Sequence, residues 1–215
     1  MSQPAQLVFL SDYNVGTSTF VQRIINGKVT ENSVGRAKVV RHTFNTHFQA
    51  LDRVVTVQVY DVEGNVYVAY GGDLNAALVS CHRAHAIAVL YDVTNRSSFE
   101  YAQYCLDSIV NPRAISLLIA NKIERSQRKV SQKEGKLLAR IHQSRFIEIS
   151  AKTGQNVQEA FQILLSTIPP KYLKSEKVTT ENAVEFTLKS PRREKDKINK
   201  FWKSPKKFQD TSFPF

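Results

Sequence analysis

The sequence predicts an α/β fold: a mostly parallel six-stranded sheet with helices on both faces, followed by a basic, largely disordered C-terminal tail. Three observations predict it. Short apolar runs of strand length alternate with helical segments over residues 1–170. One pair of period-2 segments reads as an antiparallel hairpin set into that series. Polar clusters then follow four of the strands, at the carboxyl ends where open α/β sheets hold ligands.

The elements follow in order. Leu7–Leu10 is an apolar strand that gives way to a polar turn, and Thr19–Asn26 reads as a helix with Gly27 just beyond its end. Residues 29–40 are polar and irregular. His42–Ala50 and Val54–Tyr60 alternate apolar and polar side chains around a Leu51-Asp52-Arg53 turn, and Asp61-Val62-Glu63-Gly64-Asn65 closes the second strand. Residues 66–83 are mixed and read as loop and helix. Ala84–Tyr91 is mostly apolar, as a strand covered on both faces should be. A cap-like Ser97 opens the next helix. Ala114–Ala120 is a second buried strand, running into Asn121-Lys122-Ile123-Glu124. Ser131–Ile141 has helical periodicity, Phe146–Ile149 is a strand, and Ser150-Ala151-Lys152 follows it. Asn156–Ile168 is an amphipathic helix with Val157, Ala160, Phe161, Leu164 and Leu165 on one face, stopped by Pro169-Pro170. The chain divides into a domain at 1–170 and a tail at 171–215.

Bulk properties narrow the class. A chain of 215 residues, 42% hydrophobic, can bury one substantial core and still leave a remainder. Cys81 and Cys105 have neither metal-ligand spacing nor a disulfide framework, so reduced thiols are expected. His82 and His85 form an H-x-x-H pair without a third ligand nearby and read as structural. No leader pattern is present, and no apolar run approaches the roughly 20 residues that span a bilayer. A cytoplasmic monomer is expected.

The chemistry concentrates at residues 7–19. A strand, a tight turn and a helix start are the setting of the P-loop, G-x-x-x-x-G-K-[ST], whose backbone N–H groups cradle phosphates. Here those four positions read Ser11, Gly16, Thr17 and Ser18, so the spacing is intact while a Gly and the Lys are replaced. The phosphate-side candidates are therefore Ser11, Asn14, Val15, Gly16, Thr17, Ser18 and Thr19.

Two further phrases, Leu90-Tyr91-Asp92-Val93-Thr94-Asn95-Arg96-Ser97-Ser98-Phe99 and Phe146-Ile147-Glu148-Ile149-Ser150-Ala151-Lys152-Thr153-Gly154-Gln155-Asn156-Val157, make the chain resemble the Ras superfamily of small GTPases, Rab and Ras members above all, over about residues 5–168. The resemblance implies a P-loop G domain that binds GTP or GDP with Mg²⁺ and engages effector or regulator proteins. Ser18 and Asp61 match the Mg²⁺ positions, and Asp61 with Gly64 matches D-x-x-G. Asn121, Lys122 and Glu124 stand at the guanine-reading N-K-x-D motif, and Ser150, Ala151 and Lys152 match the remaining base-contact motif.

The departures bear on activity. In the family the P-loop Lys reaches the β- and γ-phosphates; Thr17 is neutral and too short. Two lost charge-assisted hydrogen bonds amount to about 3–6 kcal/mol, or on the order of a hundred- to ten-thousand-fold in affinity. Tyr13 falls where the family has a small residue. Asn65 replaces the water-orienting Gln and is one methylene shorter, no Thr stands near Lys38–Val39 where the first switch would place one, and Glu124 lengthens the guanine-reading carboxylate. Together these imply a weakened nucleotide site with impaired hydrolysis, a pseudo-GTPase, with a functional molecular switch as the alternative.

Net charge is +11, and Lys189–Lys207 alone holds 9 basic and 2 acidic residues. If that segment is helical, Ile198, Phe201 and Trp202 share one side among lysines, which suits an anionic membrane surface; nucleic acid is the weaker partner. Ser190-Pro191 and Ser204-Pro205 resemble proline-directed kinase sites. Phe213-Pro214-Phe215 offers no terminal Cys, so no prenyl anchor is expected. Val184, Phe186 and Leu188 alternate with polar residues and read either as linker or as a strand added to a partner's sheet edge.

Overall fold

A computed structural model describes residues 4–28, 38–63, 81, 83–109, 115–173 and 184–186. Six main strands form the sheet: β1 (Ala5–Ser11), β2 (Lys38–Phe48), β3 (Arg53–Glu63), β4 (Ala86–Asp92), β5 (Ile115–Asn121) and β6 (Arg145–Glu148). A short seventh strand, β7 (Val184–Phe186), lies at one edge, and the order is β6-β5-β4-β1-β3-β2-β7. β1 pairs in parallel with β3 and β4, and β5 in parallel with β4 and β6, while β2 runs antiparallel to β3. The expected mostly parallel sheet with one hairpin is present.

The apolar runs are continuous because both faces of the sheet are covered. Alternate residues of β1 go to opposite cores: Leu7 and Phe9 to one, Val8 and Leu10 to the other. The first core also takes Phe20 and Val21 of helix α1 (Thr17–Asn26) and Phe161, Leu164 and Leu165 of helix α4 (Val157–Thr167). The second takes Phe99, Ala102 and Leu106 of α2 (Arg96–Ser108) and Leu138 and Ala139 of α3 (Gln132–Ile141). Each fully buried Leu or Phe contributes roughly 1.5–3 kcal/mol relative to exposure, so this two-sided packing is the main stabilising term.

Several boundaries differ from the sequence reading. The hairpin strands are longer at the phosphate end, Lys38 pairing with Glu63, because β-ladder bonding continues past the alternating segment. Helix α1 starts at Thr17 rather than Thr19, with Gly16 as its cap at φ 97°. The cap of α2 is Asn95, whose side chain accepts from the Ser97 N–H; Ser98 Oγ instead donates to the Asn95 carbonyl. Ser131 caps α3 in a capping box with Glu134. His85 is structural as expected: its Nδ1 accepts from the Gln6 N–H at 2.8 Å and its ring packs on Tyr172. His82 lies outside the described residues.

The domain also runs past residue 170. A 3-10 turn at Pro170–Tyr172 carries Leu173 back into the first core, where it is fully buried. Val184–Phe186, read as linker or as a partner's strand, pairs antiparallel with this chain's own β2 at Val39–Arg41. The basic segment Lys189–Lys207 lies outside the described residues.

Candidate functional site

β1 ends at Ser11, opposite Glu63 of β3 and Leu90 of β4, so the turn of residues 12–16 sits above the carboxyl ends of three strands. Asn14 (φ 58°) and Gly16 (φ 97°) are both left-handed, which curls successive backbone N–H groups to one side, the geometry of an anion nest. Helix α1 begins at once with no side-chain cap bond and no acid in its first turn, leaving its N-terminal dipole open to an anion. A Cβ added at Gly16 would lie 2.9 Å from Asn121 Nδ2, so a side chain does not fit there. That satisfies the backbone requirement of a phosphate cradle.

The two replaced positions meet. Thr17 Oγ1 donates to Ser11 Oγ at 2.6 Å, and both residues are buried, 0% and 1% exposed. Next to them Ser18 Oγ donates to Asp61 Oδ2 at 2.8 Å, again buried. Two oxygen donors held together at the foot of an anion nest are the donor chemistry that Mg²⁺ takes, so the residues present fit that ion.

The base side is tied to the phosphate side by Asn121 at the end of β5. Its Nδ2 donates to the Val15 carbonyl at 2.8 Å and its Oδ1 accepts from the Ala151 N–H at 3.0 Å. Ser150 is fully buried, and its Oγ accepts from the Thr153 N–H at 3.0 Å, closing the turn after β6. Lys122 Nζ donates to the Asn14 carbonyl and pairs with Asp92 Oδ2 at 2.8 Å. Burial alone would raise the Asp92 carboxyl; hydrogen bonds from Lys122 and from Thr94 outweigh it and hold the group below the ordinary carboxylate range.

The structure thus gathers around one turn several separate bonded groups: Ser11 with Thr17, Ser18 with Asp61, Val15 with Asn121 and Ala151, and Asn14 with Lys122 and Asp92, with Gly16 against Asn121 and Ser150 beside Ala151. Thr19 is half-buried on α1, and the side chains of Asn14, Glu124 and Lys152 are exposed. Gly64 and Asn65 lie outside the described residues. Two participants were missed from sequence. Arg23 of α1 donates through Nε to the Ala151 carbonyl at 2.8 Å and through Nη2 to the Lys152 carbonyl at 2.5 Å, fastening the helix to the base loop. Asp92 is the second, although Asp92-Val93-Thr94 is a legible Asx turn in which Asp92 Oδ1 accepts from the Thr94 N–H. Among the described residues no cluster of His, Cys, Asp and Glu could hold a metal through three protein ligands, and no helix is long and apolar enough to cross a membrane.

Comparison with known proteins shows the family. The sequence model described as Ras family matches residues 6–170. "Ras-related protein rab-39" of Caenorhabditis elegans is 28% identical over 174 residues, 76% of this chain and 72% of its own. "Ras-related protein Rab-4" of Dictyostelium discoideum is 30% identical over 180 residues, 80% of this chain and 83% of its own. "Ras-related protein Rab-18" of Caenorhabditis briggsae is 38% identical over a shorter stretch of 89 residues, 40% and 44% of the two chains.

Proposed function

The chain belongs to the Ras family of small GTPases, and on that premise we propose that it acts as a regulatory protein-binding module with weakened guanine-nucleotide binding and impaired GTP hydrolysis. The observation that carries the reading is the buried Ser11–Thr17 hydroxyl pair at 2.6 Å, where the P-loop pattern has a Gly and a Lys. A hydroxyl already donating to a neighbour neither reaches a phosphate nor offsets its charge.

What remains is neutral recognition. The backbone N–H groups of residues 14–17 would hold phosphate oxygens, Asn121 and Ala151 would shape the base slot, and Ser18 with Asp61 would hold Mg²⁺. When bound, that ion would offset part of the phosphate charge. Lys122 reaches the loop, but its ammonium is committed to Asp92 and the Asn14 carbonyl. Impaired turnover rests on Asn65 at the family's Gln position. The partners implied are effector or regulator proteins, with Lys189–Lys207 helping to place the protein at an anionic membrane surface. Losing vesicle binding on deletion of residues 189–215 would support that placement.

One observation favours the second reading, a working GTP/GDP switch: Asn121 links the phosphate and base loops through both ends of its amide. Chromatography of nucleotide released from purified protein, beside a Mg²⁺-dependent GTP titration, separates the two. Empty protein with binding only at high GTP concentration supports the weakened module. Stoichiometric nucleotide with measurable turnover replaces it with the switch.

A further inference from the structure

The two altered positions of the phosphate loop are six residues apart, one closing β1 and the other opening α1, and their side chains meet across the base of the loop. We infer that Ser11 and Thr17 are one coupled unit, a neutral latch that closes the phosphate loop from inside and keeps its shape without a ligand. This deepens the reading of a weakened nucleotide site.

Three features carry it. Both hydroxyls are shut away from solvent, so each depends on a protein partner. Thr is β-branched, so few χ1 states are lost when its hydroxyl is held on Ser11. The loop between the pair is further held by bonds that use no ligand: Asn121 to the Val15 carbonyl, Lys122 to the Asn14 carbonyl and Ser18 to Asp61. A loop tied at its base and along its length needs no bound phosphate to order it.

The latch also explains why two changes occur together. A lysine at 17 beside an unchanged Ser11 would abandon a buried hydroxyl and press its stem against the Ser11 hydroxymethyl group, 2.6 Å from where Thr17 Oγ1 now lies. Removing the Ser11 side chain opens that space. The charge at position 17 is therefore recovered only when position 11 is also changed. Ser11 and Thr17 are positioning residues in this arrangement, since each acts through the other on the shape of the loop.

The test has two arms on the full chain stripped of any nucleotide. In the first, melting temperatures are compared for wild type, Ser11→Ala, Thr17→Val and the double variant. Each single change leaves one buried hydroxyl without its partner and is expected to lower the midpoint by about 2–4 °C. The double variant removes both hydroxyls and is expected within about 2 °C of wild type. Equal and additive losses would overturn the latch. In the second arm, fluorescent GDP with Mg²⁺ is titrated into Thr17→Lys and into Ser11→Gly with Thr17→Lys. The double change is expected to bind at least about tenfold tighter than either wild type or Thr17→Lys, on the scale of one charge-assisted hydrogen bond regained. Tightening by Thr17→Lys alone to the same level would overturn the coupling, as would no gain in the double. If wild type proves to hold nucleotide tightly, the weakened-site reading fails, while the melting cycle still decides the latch.

Discussion

The two halves of the site are built from different chemistry. The base half keeps Asn121, Lys122 and Ser150-Ala151-Lys152, with Glu124 its one departure: Asn121 bridges two loops, Ser150 is buried at the root of its turn, and Arg23 fastens that turn to α1. The phosphate half keeps the family's loop spacing but not its cation, and two bonded hydroxyls stand at the altered positions. A left-handed turn is thus present where the pattern's charge is absent. A loop's path is specified by neutral bonds to its backbone, whereas tight binding of a multiply charged ligand requires a cation. The first can persist without the second.

If the halves are joined by Asn121, breaking that residue should cost most. Asn121→Ala leaves the Val15 carbonyl and the Ala151 N–H buried without this partner, an expected loss of about 2–6 kcal/mol at 1–3 kcal/mol per group. Denaturant unfolding would read it, and a loss below 1 kcal/mol would show the halves to be independently held. Gly16→Ala attacks the same junction from the other side. Its Cβ would meet Asn121 Nδ2 at 2.9 Å on a left-handed backbone, so about 1–3 kcal/mol should be lost through overpacking, together with any residual nucleotide binding.

Acid should separate the halves more gently. The Asp92 carboxyl lies below its ordinary value of 3.8, and Glu134, bound by Arg96 and Ser131, is pushed down to about 2 from 4.5. Carboxyls depressed in the folded state stabilise it above their unfolded values, and that contribution disappears as pH falls through the folded values. Melting temperature should therefore hold above about pH 5 and fall between 4.5 and 2. Asp92→Asn should flatten part of that slope and release Lys122 toward the loop, sharpening the question of whether that cation can serve a phosphate. The smallest effect is expected at Tyr91, whose hydroxyl is buried and has no hydrogen-bond partner among the described residues. Tyr91→Phe should be neutral or stabilise by up to about 1 kcal/mol, and nucleotide binding should not move. A large loss there would reveal a polar link between β4 and the site that the geometry does not show.

Much of this was legible from the chain. The continuous apolar run read at Ala84–Tyr91 marks a strand covered on both faces; the strand starts at Ala86, His85 before it is half-buried, and every residue from Ala86 to Tyr91 is buried. Val157, Ala160, Phe161, Leu164 and Leu165 share a helix face by spacing alone, and all five enter one core. The loop spacing from Ser11 to Ser18 pointed to the turn in which Asn14 and Gly16 are left-handed. The errors were local competitions: Asn95 rather than Ser97 capped α2, and ladder pairing lengthened β2 and β3 beyond their alternating stretch.

The sequence by itself determined the order of strands and helices, which turns lie at the ligand end, and that a cation is missing from one of them. These follow from periodicities and turn residues that act over a few positions of chain. Only the tertiary structure decided what the replaced residues do. Asn121 meets Val15 across 106 positions, Arg23 meets Ala151 across 128, and Leu173 returns to the core after the proline stop. Even Thr17 and Ser11, six positions apart, meet only because β1 is held between β3 and β4 while α1 packs back over the sheet. Such contacts depend on where the backbone has been carried by the packing of both cores.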